Sequence, residues 1–310
     1  MSGQPEVTWL VAVKDAMPFL TETLASIEAQ TYPAHRVILW DNGSTDGTVA
    51  EAATWVPSRI PGKVVADCPL FLGLSRAALL NAAETEYCAI IDGDDLAKPN
   101  RLETQVEFMD AHPEVAVSSC FFEKISEDGA SLDFIGESPL HHDEIVPWFL
   151  APSPICQPGV ILRRSAILGV GNYREQYLED YDLWMRLAHR HKLANIGQVL
   201  ISYRVHENSF VRSSVRENRH RPAILECASQ YSQSLFGLDP ETVVALMRRE
   251  HPYAWPEIKR MAEHLQATQG GGDRTRNLSF LKLAKRLVSK SDKRSRAMIE
   301  LFRLRKRIDL

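Results

Sequence analysis

The chain lacks several features that would assign it to a particular class of protein. No apolar run reaches the roughly 18 residues that a membrane-spanning helix needs. The first residues, MSGQPEVTWLVAV, do not have the basic-then-apolar order of a signal peptide. The 5 cysteines are odd in number and form no CxxC pair, which argues against a disulfide framework and a structural zinc site. These absences predict a protein of the reducing cytoplasm.

Acidic residues are scarce at the C-terminal end. The 310 residues carry a net charge of −4, but segment 274–310 has 13 Lys or Arg against 3 Asp or Glu, so the remainder carries −14. The acidic remainder argues against a nucleic-acid partner. Apolar residues of the segment recur at helical spacing, which is typical of a solvated helical face or of a peripheral membrane helix whose apolar stripe inserts into lipid while its Lys and Arg meet anionic headgroups. They are Phe280, Leu281, Ala284, Leu287 and Val288, followed by Met298, Leu301, Phe302 and Ile308.

The first 120 residues alternate short apolar runs with helical patterns. This alternation predicts an α/β fold with a mainly parallel, Rossmann-like sheet covered by helices on both faces. Ligands of such sheets bind beyond the carboxyl ends of the strands. The predicted strands are 7–13, 36–40, 63–66, 87–91 and 115–122, and the predicted helices are 18–30, one ending near Trp55, 74–84 and 100–112.

The pattern changes after residue 122. We predict a short helix at 142–150, a helix at 178–191 and an edge-like strand at 198–205, with helices beyond 210 and a flexible joint at 268–277. We therefore expect a catalytic domain, a helical extension and a basic amphipathic tail. Their ranges are 1–210 (with a nucleotide-binding half 1–122 and an acceptor-side half 123–210), 211–268 and 269–310.

Three aspartates follow the predicted strand 87–91 in the sequence IIDGDD. Carboxylates at a strand end suit a hard divalent cation, Mg²⁺ or Mn²⁺, which stabilises the charge of a departing diphosphate. By itself the motif of Asp92, Asp94 and Asp95 is typical of a solvated turn, but its place at a strand end, before a helix opened by Pro99, favours a site.

Two further acidic motifs allow two interpretations. In WDNGSTDGT, Asp41 ends a strand, while the rest of the motif is typical of a turn before a helix. In LEDYDLW, Glu179, Asp180 and Asp182 are typical of a helix first turn, where the helix dipole favours acids. Alternatively, a carboxylate there acts as a general base, and Arg186 pairs with Asp182 one turn earlier.

Together these motifs resemble a known family. The order QTYP, DNGSTDGT, IIDGDDLAKPNRL, LEDYDLW and YRVHENS, over roughly residues 6–210, is similar to the inverting nucleotide-sugar glycosyltransferases of family two. The resemblance implies the A-type glycosyltransferase fold. It also implies a UDP-sugar donor, Mn²⁺ or Mg²⁺, and a glycan or glycolipid acceptor.

The resemblance also implies roles for the aspartates. Asp41 matches a contact to the uracil or ribose. Asp92 and Asp94 match the metal-binding DxD motif, with Asp94 as the direct ligand and Asp92 facing the ribose or the metal, and Gly93 lies between them against the donor. Asp95 supports the turn.

On the acceptor side, Asp180 matches the catalytic base, and Glu179 and Gln157 lie beside it in the matching motifs. Transfer by a single displacement inverts the anomeric carbon and needs no enzyme nucleophile.

Four other positions complete the implied site. Arg76, in GLSRA, matches a guanidinium that reaches the nucleotide, and its alternative is a helix surface arginine. Val13 and Asp15 lie in the loop that matches base recognition, although the family motif there reads Pro-Val-Tyr-Asn. His206 is a further candidate for the metal or diphosphate, against a structural histidine at a strand end.

Other functions fit these motifs less well. The QxxRW signature of processive polysaccharide synthases is absent, so a single-addition transferase is favoured. The sequence DGDDL superficially resembles an aspartyl-phosphate motif, but Leu96 does not supply the required Thr or Val. A non-catalytic sugar-nucleotide-binding or scaffold protein at the membrane surface is the remaining alternative, and it would not need Asp180.

Overall fold

The computed structural model describes residues 5–66, 68–151, 153–207, 209, 218–269 and 278–308, and of 269, 278–279 and 301–308 it describes only the backbone. The chain forms two compact units. One comprises residues 1–138 and 155–212, and the other comprises 139–154 and 213–310. Segment 139–154, which we placed in the acceptor-side half, therefore belongs to the second unit. The functional division of the chain stays a prediction.

The first unit contains a nine-stranded sheet with the order β3-β2-β1-β4-β8-β6-β9-β5, and β7 pairs with β6. β1 pairs in parallel with β2 and β4, and β2 with β3. The strands are β1 Val7–Val13, β2 His35–Asp41, β3 Gly62–Val65, β4 Tyr87–Ile90, β5 Leu96–Ala97, β6 Val115–Ile125, β7 Ser131–Gly136, β8 Ile161–Arg163 and β9 Lys192–Arg204.

Seven α-helices of the described chain precede residue 190, and five follow it. The first seven are α1 Leu20–Glu28, α2 Thr48–Trp55, α3 Leu72–Ala82, α4 Arg101–Ala111, α5 His142–Trp148, α6 Arg164–Gly169 and α7 Glu179–Ala188. The others are α8 His220–Gln230, α9 Pro240–Arg248, α10 Trp255–Gln269, α11 Leu278–Leu287 and α12 Lys293–Ile308.

The predicted α/β architecture is confirmed in the first unit. β1 is buried at six of its seven positions because helices cover both faces of the sheet, so its sequence is apolar rather than alternating. The parallel pairing of β1 with β2 and β4 brings the carboxyl ends of these strands to one edge. The second half of the sheet is mixed, since β8 runs antiparallel to both β4 and β6.

The predicted edge strand 198–205 is wrong in extent and position. β9 begins at Lys192, and it pairs in parallel with β6 on one side and antiparallel with β5 on the other. Leu193, Ala194 and Ile196 are buried in this strand. The predicted helix 178–191 is three residues too long, because α7 ends at Ala188 and the chain pairs with β6 from Lys192 onward.

In the second unit, the apolar stripe of α11 is buried. Phe280 is 3% exposed, Leu281 2% and Leu287 2%. The predicted insertion of this stripe into lipid is therefore wrong, because the unit's own packing covers the residues that would insert. The predicted joint 268–277 lies almost entirely outside the described residues. No helix among those described is long and apolar enough to cross a membrane.

Candidate active site

Two loops at the carboxyl edge of the sheet are bonded to each other. The amide of Asp15, in the left-handed region at φ 48°, donates to Ser44 Oγ at 2.8 Å. Asp15 Oδ1 accepts from the Thr45 amide at 2.8 Å. Val13 O accepts from the Asn42 amide at 2.8 Å, so the ends of β1 and β2 form one rigid rim.

Asp41 closes the second of these loops. Its side chain is fully buried, and its carboxylate accepts from the amides of Gly43 and Ser44, each at 3.1 Å. The structure thus gives Asp41 a turn-closing role at the strand end. Its contact with a nucleotide stays a prediction.

Gly93 brings the acidic turn against the end of β1. A Cβ atom at this position would lie 2.8 Å from Val13 Cγ1 and 3.2 Å from Ala16 Cβ. Because the Val13 side chain is itself buried, a larger residue here would push the DxD turn away from the rim.

The carboxylates of the DxD motif have different partners. Asp92 Oδ1 accepts from Arg76 at 3.1 Å, and Asp94 Oδ2 lies 2.8 Å from His206 Nε2. The Asp92 side chain keeps 34% exposure, yet desolvation by the surrounding protein and the nearby Asp94 charge raise its pKa, against the opposing effect of Arg76.

Asp95 is the buried member of the group, at 1% exposure. Its Oδ1 accepts from the Arg204 amide at 2.8 Å, and its Oδ2 has no partner among the described residues. Burial, followed by the charges of Asp94 and Asp92, raises its pKa well above the ordinary range. Arg204 also donates to Asp94 O at 2.9 Å, so it fixes the backbone of the motif.

Arg76 joins the DxD motif to the start of α7. Its guanidinium donates to Asp92 and makes a very short bond to Glu179 Oε1. Arg76 is 8% exposed and Glu179 3%. Burial raises the pKa of Glu179 to about 7, although the Arg76 charge opposes that rise. The arginine is therefore not a surface residue, and its contact with a nucleotide stays a prediction.

Asp180 follows Glu179 in the first turn of α7 and is only half-buried. Its Oδ1 accepts from the Tyr181 amide at 2.8 Å. Its charge raises the pKa values of Arg76 and Asp92, so these three groups lie in one electrostatic neighbourhood. The structure thus brings together the predicted base and the DxD motif, whereas Asp182 pairs with Arg186 at 2.6 Å, as the structural interpretation had it.

Gln157 lies in a short 3₁₀ turn before β8 and is 7% exposed. Its Nε2 donates to Tyr173 Oη at 3.2 Å. Sequence reasoning assigned no role to Tyr173, or to Arg204 in the YRVH motif. No spacing rule pointed to either, because their partners are distant in sequence.

The DxD motif and His206 are the candidate metal ligands. Within the part of the chain that is described, no three His, Cys, Asp or Glu side chains form a ready ligand cluster. The partly exposed carboxylates of Asp92 and Asp94 nevertheless fit a hard cation that takes its other ligands from water and phosphate.

Comparison with known sequences gives a consistent result. The profile described as Glycosyl transferase family 2 matches residues 8–169. The chain is 30% identical over 192 residues to the amylovoran biosynthesis glycosyltransferase AmsE of Erwinia amylovora, covering 60% of this chain and 70% of that protein. It is 27% identical over 228 residues to an Escherichia coli protein named UDP-Gal:alpha-D-GlcNAc-diphosphoundecaprenol beta-1,3-galactosyltransferase, covering 73% of this chain and 81% of that one.

Solved structures share the fold. A mannosyltransferase, PcManGT, from Pyrobaculum calidifontis in complex with GDP-Man and Mn²⁺ superposes with a TM-score of 0.62 at 18% identity, covering 99% of this chain and 88% of that one. S. aureus TarS 1–349 in complex with UDP-GlcNAc gives 0.61 at 14% identity, with 97% and 88% covered. The chain spans 53% of a longer TarS structure.

Proposed function

Since the chain belongs to glycosyl transferase family 2 and is thus a glycosyltransferase, we propose that it moves a sugar from a UDP-sugar to a hydroxyl of a glycan or lipid-linked acceptor, with inversion. The observation that carries this proposal is the Arg76 bridge between Asp92 and Glu179, with Asp180 beside it. It joins the donor-side motif to the first turn of α7, where the proposed base lies.

The names of similar proteins support the donor and acceptor classes. The E. coli protein is named for transfer from UDP-Gal to a diphosphoundecaprenol-linked sugar, and TarS was solved with UDP-GlcNAc. PcManGT was solved with GDP-Man, which makes GDP-sugars the alternative donors.

The donor nucleotide would lie on the rim formed by Val13, Asp15 and Asp41. Gly93 keeps the acidic turn close to this rim, so the ribose or the cation would reach Asp92 and the diphosphate would reach the guanidinium of Arg76. An arginine held by two carboxylates offers a fixed positive charge to phosphate oxygens at little cost in side-chain entropy.

The candidate cation, Mn²⁺ or Mg²⁺, would be held by Asp94, Asp92 and His206. When bound, it supplies positive charge that stabilises the departing diphosphate. Asp95, whose backbone neighbours are fixed by Arg204, would support the turn rather than bind the cation.

Asp180 would accept the proton of the acceptor hydroxyl. As the acceptor oxygen forms its bond to the anomeric carbon, the bond from that carbon to the diphosphate oxygen breaks, and the diphosphate leaves with the electron pair. Because one displacement suffices, the configuration inverts. Glu179 and Gln157 line the acceptor side of this proton transfer.

Nucleotide-sugar turnover with and without metal tests this function. We expect the protein to hydrolyse or transfer from one of UDP-Gal, UDP-GlcNAc and GDP-Man in the presence of Mn²⁺, and EDTA to abolish this turnover. Asp94→Asn should lower the apparent affinity for Mn²⁺ by roughly 10- to 100-fold. Turnover at the full rate in EDTA would refute the metal dependence. Thermal stabilisation by GDP-Man and by neither UDP-sugar would refute the UDP donor.

We also propose that the second unit meets an anionic membrane surface, on the cytoplasmic side, through charge rather than insertion. Exposed basic residues of segment 274–310 include Lys282, Lys290 and Arg294. A Lys or Arg near an anionic surface contributes about 1 kcal/mol.

Reversing these three charges should therefore release the protein from phosphatidylglycerol vesicles in a sedimentation assay at low salt. Reversal of Lys63 and Lys192, exposed residues of the first unit, is the matched control. Equal binding of both variants would refute the surface assignment. Deletion of the segment is a poor test, because it removes buried residues such as Phe280.

A further inference from the structure

Gln157 and Tyr173 form a buried polar pair that leaves the side-chain carbonyl of Gln157 without a hydrogen-bond donor among the described residues. The pair is joined by the bond from Gln157 Nε2 to Tyr173 Oη, and both residues are more than nine-tenths buried. In the part of the chain that is described, Gln157 Oε1 has no donor. A buried carbonyl without a donor lowers the stability of a protein, and a methionine of similar size would avoid that loss.

The backbone around Gln157 is held rigidly by buried side chains. Ser119 Oγ donates to Cys156 O at 3.0 Å, and Arg101 Nη1 donates to Pro158 O at 2.8 Å. Arg101 is itself fully buried. The carbonyls on both sides of Gln157 are thus fixed, and this fixes the direction in which its amide projects.

The backbone at Tyr173 is also fixed by hydrogen bonds. Asn172, at φ 61°, accepts the Tyr173 amide through its Oδ1 at 2.8 Å and donates through Nδ2 to Ala77 O in α3 at 3.2 Å. Arg186 Nη2 donates to Asn172 O at 2.8 Å. The backbone at Tyr173 is therefore fixed, and its ring packs edge-on against Trp184 of α7, with the ring centroids 6.4 Å apart.

The pair lies beside the proposed reaction centre. Asn172, which precedes Tyr173, is bonded to Ala77 O next to Arg76. The charges of Arg76, Asp180 and Glu179 reach the Tyr173 hydroxyl. Burial, more than any charge, raises the pKa of this hydroxyl, so it keeps its proton at neutral pH and can donate it in a hydrogen bond.

We propose that Gln157 and Tyr173 form a subsite that recognises one hydroxyl group of a sugar. The inference rests on the proposed function and deepens it. A sugar hydroxyl is both donor and acceptor, so it can donate to Gln157 Oε1 and accept from Tyr173 Oη, which completes the bonding of both side chains. The hydroxyl belongs either to the transferred sugar or to the acceptor sugar.

Two conservative variants test the subsite. Gln157→Met and Tyr173→Phe each remove the hydrogen-bonding atoms and preserve the volume of the side chain. We expect each to lower kcat/KM for sugar transfer roughly tenfold. Affinity for UDP, measured by calorimetry, should not change, because UDP has no transferred sugar.

A stability comparison separates recognition from structure. Gln105 is fully buried, and both ends of its amide are bonded: Oε1 accepts from Arg101 at 3.0 Å, and Nε2 donates to Gly159 O at 2.8 Å. Gln105→Met should therefore lower Tm. Gln157→Met loses only the bond to Tyr173 Oη and removes the unpaired Oε1, so it should lower Tm much less, and a drop equal to that of Gln105→Met would overturn the proposal.

The source of the hydroxyl is decided by donor affinity, measured with whichever of UDP-Gal, UDP-GlcNAc and GDP-Man the wild type hydrolyses. If Gln157→Met weakens the binding of the nucleotide sugar but not that of the free nucleotide, the hydroxyl belongs to the transferred sugar. If donor affinity and hydrolysis are unchanged and transfer to a synthetic GlcNAc-diphosphate lipid falls, it belongs to the acceptor. Both results support the subsite.

Two outcomes contradict it and are distinguishable. An active wild type with both variants at full kcat/KM overturns the subsite and leaves the proposed function intact. A wild type that neither hydrolyses nor transfers from any of the three donors overturns the proposed function and the subsite with it.

Discussion

Replacing Asp180 by Asn should lower kcat for sugar transfer by about 10²–10⁴-fold, the range that general bases contribute. The amide keeps the shape of the side chain and its bond from the Tyr181 amide, but it cannot take the acceptor proton. Because Asp180 is only half-buried and does not hold Arg76, we expect Tm and UDP affinity to stay near the wild-type values.

The matched control for this variant is Asp133→Asn. Asp133 is an exposed aspartate of β7, and its replacement should leave turnover unchanged. Wild-type transfer by Asp180→Asn would show that another group takes the proton, and the assignment of the base would be wrong.

Arg76→Met should destabilise the protein by about 3–5 kcal/mol at ~pH 8, as expected when one partner of a buried ion pair is removed. Without the guanidinium, the buried carboxylate of Glu179 has no positive partner, and Asp92 also loses its ion pair with Arg76. Chemical denaturation with a fluorescence readout measures it. Arg36→Met, which breaks an exposed pair with Glu6, should cost less than about 1 kcal/mol.

This destabilisation should depend on pH. The pKa of Glu179 is already about 7, above its ordinary value of 4.5, and loss of the Arg76 charge raises it further. Between these values the folded state holds a proton that the unfolded state has lost, so stability falls as pH rises. The cost of Arg76→Met is therefore smaller at ~pH 5 than at ~pH 8.

A second replacement checks the cause. Arg76→Met combined with Glu179→Met removes the stranded carboxyl, and it should recover most of the lost stability at ~pH 8. If the double variant is as unstable as Arg76→Met alone, the ion pair with Glu179 does not explain the contribution of Arg76 to stability. The same conclusion follows if Arg76→Met lowers the free energy of unfolding equally at both pH values.

Much of the parallel half of the fold was predictable because its strands are local signals. VTWLVAV is apolar on both faces, and it forms the strand that the pattern predicts. The start of β9 was missed because its first residues form a strand only by pairing with β6, which is some 75 residues away in sequence. A periodicity argument cannot weigh such a partner.

The same limit applies to the site. The sequence placed Asp92 and Asp94 at a strand end, but the Arg76–Glu179 contact spans 103 residues and the Asp95–Arg204 contact 109. The apolar stripe around Leu281 was read correctly as helical. Spacing alone did not tell whether lipid or the protein itself covers it, and the protein does.

The anomeric configuration of the product tests the central claim most directly. In the Mn²⁺-dependent assay, transfer from an α-linked UDP-sugar should give a β-linked product, with the large trans-diaxial coupling of the anomeric proton in NMR of a gluco- or galacto-configured sugar. That result is predicted by a single displacement in which Asp180 acts as base and no enzyme nucleophile takes part. An α-linked product would require a different mechanism and would contradict the account.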